Sequence, residues 1–196
     1  MVDIANAKIL ILASDGFEES ELFVPLEKLR ATGATVDVAG PEKTREPGKL
    51  TAWAGQDDKP DWGRTVDVTK TIPSASAGDY DALVLPGGVI NPDNLRVDKT
   101  ALQLIRSFYE SGKVVAAICH APWLLVEAGV VKGRKVTSYH SIRTDVINAG
   151  GQFADEPVVT DNGLVTSRKP DDLDAFVAKI IEEIREGRHA PRQIAA

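Results

Sequence analysis

Cysteine is nearly absent: Cys119 stands alone in 196 residues. An internal disulfide is therefore excluded, and a reducing compartment fits. Histidine is scarce as well, and His120, His140 and His189 lie far apart in the sequence. With one cysteine they make no zinc-ligand spacing, so no metal site is expected. Neither a Gly-x-Gly-x-x-Gly nor a Walker A pattern occurs, which argues against dinucleotide and P-loop chemistry and for a site that works without a cofactor. No apolar run approaches the roughly 18 residues of a membrane span. The segment from Met1 to Lys8 lacks the basic and apolar regions of a signal peptide, so a cytoplasmic location is expected. Positive charge is in deficit, 23 Lys and Arg against 29 Asp and Glu, with a net charge of −6. Nucleic acid and membrane are accordingly not expected as partners. Neither a composition shift nor an internal repeat divides the chain, so residues 1–196 are read as one domain.

What is present is an alternation of buried strands and amphipathic helices. Lys8 to Ala13 reads as a strand, Ser20 to Ala31 as a helix with an awkward Pro25, and Thr35 to Ala39 as a second strand. Residues 45–75 are punctuated by Pro and Gly and read as an inserted excursion. There Lys49–Trp53 and Arg64–Val68 make a hairpin off the main sheet, turning at Asp57-Asp58-Lys59-Pro60. Its Trp53 and Trp62 could wall a ligand, form an interface or cover the core edge. Tyr80 to Leu85 is a third strand that ends in Pro86-Gly87-Gly88, and an amphipathic helix follows from Asp98 to Ser111. Lys135 to Thr137 reads as a fifth strand of the same sheet. A hairpin turns at Asp161-Asn162-Gly163, and a helix runs from Pro170 to Gly187. Residues 188–196 read as a flexible tail or partner-contacting arm.

The centre of the chain is Lys113 to Leu125, where the apolar run Val114–Ile118 passes into a helix with Cys119 at the join. A thiol at a strand-to-helix turn meets the positive helix end and free N–H groups, which favour thiolate and could hold an oxyanion. The plain alternative is a small buried hydrophobe. Glu18, Gly87 and Gly88, Cys119 and His120, and Tyr139 and His140 all fall at carboxyl ends of expected strands, where a parallel sheet gathers its ligand crevice. Together they supply the parts of nucleophilic catalysis on a carbonyl, with Gly87, Tyr139 and His140 as candidate pocket residues.

These residues lie in longer matches. Ala13 to Leu22, Tyr80 to Gly88, Ala116 to Pro122, Val136 to Tyr139 and Thr166 to Leu173 occur in an order that resembles the ThiJ/PfpI family, in its PfpI-type intracellular protease branch. The resemblance implies a flavodoxin-like three-layer α/β sandwich of the class I glutamine amidotransferase type, with a mostly parallel sheet and a nucleophile elbow at Cys119. It implies that Glu18 contacts the Cys119 sulfur, that His120 is the base, and that Gly88 with the His120 backbone forms the oxyanion site. Asp93 would be a third catalytic acid acting across a subunit interface, so a homodimer or higher homo-oligomer is implied. The implied activity is that of a stress-response cysteine hydrolase acting on a protein or small carbonyl substrate, by peptidase, deglycase or glyoxalase chemistry. The alternative is a non-catalytic redox sensor or holdase using an oxidisable Cys119. A carboxylate beside a thiolate would repel it, so Glu18 is expected to be protonated and to donate to the sulfur.

Overall fold

The computed structural model describes residues 3–55 and 61–194; the turn expected at Asp57-Asp58-Lys59-Pro60 lies outside them. The strands are β1 (Lys8–Leu12), β2 (Phe17–Glu18), β3 (Thr35–Gly40), β4 (Lys49–Trp53), β5 (Trp62–Asp67), β6 (Lys70–Thr71), β7 (Ala82–Leu85), β8 (Val114–Ile118), β9 (Lys135–Val136), β10 (Gln152–Phe153), β11 (Val158–Asp161) and β12 (Leu164–Ser167). The helices are α1 (Glu19–Ala31), α2 (Ile90–Leu95), α3 (Lys99–Glu110), α4 (Pro122–Glu127), α5 (Arg143–Asn148) and α6 (Leu173–Glu186). None of the described helices is long and apolar enough to cross a membrane.

The main sheet has seven strands in the order β11-β12-β8-β7-β1-β3-β6, parallel throughout except for β11 against β12. Its long parallel strands, β3-β1-β7-β8-β12, follow the 2-1-3-4-5 order of flavodoxin-like sheets, whose switch point lies between the first and third strands. Strands buried on both faces must be apolar at consecutive positions, and β7 and β8 are buried at every residue. One face packs Ile9, Ile11, Val84 and Ala116 against Leu22, Leu26 and Leu29 of α1 and Phe176, Val177 and Ile180 of α6. The other packs Leu10, Leu12, Leu83 and Val115 against Leu102, Ile105 and Phe108 of α3 and Leu124 and Leu125 of α4. Fully burying each such side chain stabilises the fold by about 1.5–3 kcal/mol. The three-layer sandwich follows from these two apolar faces.

The hairpin of the excursion forms off the main sheet as expected, with β4 and β5 antiparallel and β2 added beside β4. Asp15 ties it to the end of β1, its carboxylate accepting from the N–H groups of Arg45 and Thr51, both at 2.7 Å. Trp53 and Trp62 meet edge to face at 5.3 Å, both half-buried.

Two expectations require correction. Lys135–Val136 does not join the main sheet; it pairs with β10 in a separate two-stranded sheet. The chain leaves that strand at Thr137, whose N–H bonds the Thr166 side chain at 2.9 Å rather than a strand backbone. The position beside β8 belongs to β12. The C-terminal segment, as far as it is described, is no free arm. Arg192 is 3% exposed and donates to the carbonyls of Tyr109, Asn162 and Lys113, while the His189 N–H bonds Gly112. A guanidinium with carbonyl partners for its donors can be buried, and it draws the tail onto the body.

Candidate active site

Cys119 directly follows β8 at φ 64°, in the left-handed region. A non-glycine residue held there stores about 1–3 kcal/mol, and the surroundings must fix it. Here its N–H donates to the Ser167 carbonyl at 3.1 Å and its carbonyl accepts from Tyr139 at 2.8 Å. The turn has a chemical result. Consecutive residues on a regular strand point apart, but this backbone brings Cys119 Sγ to 3.1 Å from His120 Nδ1. The far ring nitrogen, Nε2, lies 3.0 Å from Ser141 Oγ. Tyr139 stacks on the imidazole at 4.8 Å between centroids, and Trp123 lies at 5.4 Å.

The carboxyl group at the sulfur is Glu21, not Glu18. Glu18 is the N-cap of α1: its Oε2 accepts from the Glu21 N–H and the Ser20 hydroxyl, both at 2.7 Å. It lines a different hollow, with Phe23, Trp53 and Arg64. Capping consumes its carboxylate and turns it away from Cys119. Glu21, on the first turn of α1, is fully buried beside Cys119 and interacts with its thiol. Its Oε2 accepts from the Gly87 N–H at 2.9 Å, whereas its Oε1 has no hydrogen bond of ordinary geometry. Pro25, four residues on, cannot donate to the Glu21 carbonyl and so interrupts the helix ladder at this residue. The sequence does carry a signal for Glu21. It falls in register with the buried stripe Leu22, Pro25, Leu26 and Leu29, where a carboxyl demands an explanation.

The Pro86-Gly87-Gly88 loop crosses directly over this pair. A Cβ on Gly87 would sit 2.5 Å from Glu21 Oε2 and 2.6 Å from Cys119 Cβ. Gly87 therefore does not wall an open pocket; it lets the loop touch the thiol and the carboxyl at once. Gly88 adopts φ +81°, and its N–H and that of His120 favour negative charge on the Cys119 sulfur. Asn91, absent from the sequence expectations, locks the loop at the sheet's switch point. It is fully buried, donates to the carbonyls of Pro86 (2.8 Å) and Gly87 (3.2 Å), and accepts from the Ser14 N–H at 2.7 Å.

Burial, assisted by the charge of Glu18, pushes the Glu21 carboxyl up to about 8, against the pull of the Gly87 and Gly88 N–H groups. Burial and the adjacent Glu21 also push the Cys119 thiol up, while the N–H groups of Gly88 and His120 draw it down. The expected low-pKa thiolate is thus corrected. The thiol is 6% exposed, and α4 is a single short helix whose end does not outweigh desolvation. Two negative charges do not fit here, so the pair holds at most one readily. With Glu21 neutral, its proton is available to a thiolate. Burial first, and His140 second, lower His120, which leaves a neutral imidazole at neutral pH.

The remaining expected site residues fall elsewhere. Asp93 is exposed on α2 and makes no side-chain hydrogen bond or ion pair among the described residues. Tyr139 and His140 line a cavity of about 520 Å³ with Arg143, Phe153 and Arg168. The Tyr139 ring forms the partition between that cavity and the His120 ring.

A 2-1-3-4-5 parallel sheet with a cysteine on a strained strand-to-helix turn defines a flavodoxin-like α/β protein with a nucleophile elbow. The chain belongs to the DJ-1/PfpI family, whose model matches residues 7–183. It is 39% identical over 178 residues to a protein of Pyrococcus furiosus named Deglycase PfpI, covering 91% of this chain and 99% of that one. It is 43% identical over 173 residues to Protein/nucleic acid deglycase 2 of Escherichia coli, covering 87% and 94% respectively. A solved two-domain protein of Anabaena variabilis, with DJ-1/ThiJ/PfpI-like and ferritin-like domains, matches with a TM-score of 0.83 at 32% identity. That match covers 92% of this chain and 48% of the other, so this chain spans about half of the two-domain protein.

Proposed function

We propose that this protein is a cysteine hydrolase of the deglycase type, acting on carbonyl adducts that glyoxals form with amines. The observation that carries the reading is the 3.1 Å approach of Cys119 Sγ to His120 Nδ1 on a strained turn. His120 takes the thiol proton on Nδ1, and sulfur adds to the substrate carbonyl carbon. The C–S bond forms as the carbonyl π pair moves to oxygen, where the N–H groups of Gly88 and His120 receive the charge. The Glu21 proton steadies the thiolate before attack. For a methylglyoxal adduct the net reaction consumes one water and releases the amine and a hydroxy acid. With a peptide bond the same addition would expel the amine, which takes its proton from His120.

The names of the relatives favour the deglycase over the peptidase reaction. The test compares wild type with Cys119→Ser on a methylglyoxal-modified peptide and its unmodified form, reading free amine and hydroxy acid. Wild-type release from the modified peptide alone, lost in the variant, is expected. Equal release by Cys119→Ser would refute the nucleophile, and cleavage of the unmodified peptide would favour the peptidase reaction.

A further inference from the structure

We infer that Ser141 is the positioning residue for His120 within this chain, binding Nε2 so that the lone pair of Nδ1 faces the Cys119 thiol. The inference rests on the reading of His120 as the base toward Cys119. An imidazole works as a base toward a thiol only in the tautomer whose free lone pair points at it, and the Ser141 hydroxyl favours that tautomer when it accepts from Nε2–H rather than donating to Nε2. Here the other nitrogen meets Ser141 Oγ at 3.0 Å while Nδ1 meets Sγ at 3.1 Å.

The backbone fixes this placement. Ser141 lies in a 3-10 turn, His140–Ile142, immediately after Tyr139, and the Tyr139 N–H is bonded to the Cys119 carbonyl at 2.8 Å. The hydroxyl's turn is thereby tied through Tyr139 to the backbone of the elbow. Tyr139 stacked on the ring and Trp123 beside it restrict rotation, and Trp123 Nε1 is itself anchored to Asp145 at 2.7 Å. Asp93 makes no such contact in this chain.

A hydroxyl suits the task differently from a carboxylate. It accepts the Nε2–H bond of the neutral ring and of the imidazolium alike, without the negative charge that would hold the ring protonated before the reaction. In the step itself one proton moves from Sγ to Nδ1, giving thiolate and imidazolium. The Nε2 proton stays on nitrogen, and none passes to Ser141.

The test uses full-length wild type, Ser141→Ala, Ser141→Thr, Asp93→Asn and Cys119→Ser. The readouts are the iodoacetamide alkylation rate of Cys119, the ¹⁵N shifts of the His120 ring and turnover on the modified peptide. Ser141→Ala is expected to lower alkylation and kcat by about tenfold, the effect of one neutral hydrogen bond. KM should stay near wild type, and the ring should change from a single Nε2–H tautomer to a mixture. Ser141→Thr should restore all three. Wild-type rates and tautomer in Ser141→Ala would overturn the inference. So would a loss of turnover with the tautomer unchanged and no rescue by Thr, or a tautomer that responds to Asp93→Asn and not to Ser141→Ala. Turnover retained by Cys119→Ser would refute the hydrolase reading instead, and the ring shifts would still decide the role of Ser141.

Discussion

Replacing Glu21 by Gln should remove a large pH dependence from the stability of this protein. Folded Glu21 keeps its proton up to about pH 8, whereas an ordinary carboxyl releases it at 4.5. Through that window the folded state binds more protons than the unfolded chain, so its stability falls as pH rises. Integrated over the two values, the loss from this one group is roughly 3–4 kcal/mol between about pH 5 and pH 8. Above pH 8 it tends to roughly 5 kcal/mol. Glu21 is fully buried, so solvent screening does not reduce these figures. In Glu21→Gln the group cannot ionise, and the difference in unfolding free energy between variant and wild type should move by that amount in favour of the variant. Urea unfolding of both proteins, reduced, at pH 5, 6.5 and 8 measures it. A constant offset between them is expected from packing and says nothing about ionisation. If the difference stayed flat from pH 5 to pH 8, Glu21 would be ionised throughout and the account of a neutral acid beside Cys119 would fall.

Gly87→Ala places a methyl group 2.6 Å from Cys119 Cβ and 2.5 Å from Glu21 Oε2, with the Ile118 carbonyl at 2.7 Å. It should cut both alkylation and turnover by at least about tenfold in protein that remains folded by circular dichroism. Arg192→Ala leaves the carbonyls of Tyr109, Asn162 and Lys113 without a donor; thermal melts should report a loss of about 3 kcal/mol, and an unchanged Tm would mean the tail does not dock. Because burial and His140 hold His120 below its ordinary 6.5, the acid limb of kcat/KM for an imidazole base should lie below pH 6.5. A limb above that value would assign it to another group.

Much of the fold was legible because parallel strands buried on both faces leave continuous apolar runs. Lys8–Ala13, Tyr80–Leu85 and Val114–Ile118 could hardly be anything else. The Asp161-Asn162-Gly163 turn was equally plain, and Asn162 and Gly163 both adopt positive φ. Lys135–Val136 misled because a two-residue strand carries no register, and only tertiary pairing separates a main-sheet strand from a side ribbon. The tail misled because its docking depends on backbone carbonyls, which leave no mark in composition.

Within the site, the elbow and the Gly-Gly loop could be read from residue types. The choice between Glu18 and Glu21 was legible only through the helical register of Glu21 with Leu22, Pro25 and Leu29, which depends on where α1 starts and hence on which carboxyl caps it. Asn91 and Ser141 were missed for a similar reason. Polar residues of short helices and turns acquire a role only through partners distant in sequence: Ser14 is 77 positions from Asn91, and His120 is 21 from Ser141.

The central claim is that Glu21, and not Glu18, shares the proton chemistry of Cys119, the proposed nucleophile. Iodoacetamide alkylation of Cys119 against pH, in wild type, Glu18→Gln and Glu21→Gln, tests it most directly. Glu21→Gln cannot take up the negative charge that opposes the thiolate once Glu21 ionises near pH 8, so its profile should move to lower pH, while Glu18→Gln, which keeps a capping oxygen and removes only a secondary charge, should move less. A Glu21→Gln profile that overlays wild type, or a larger displacement in Glu18→Gln, would contradict the account.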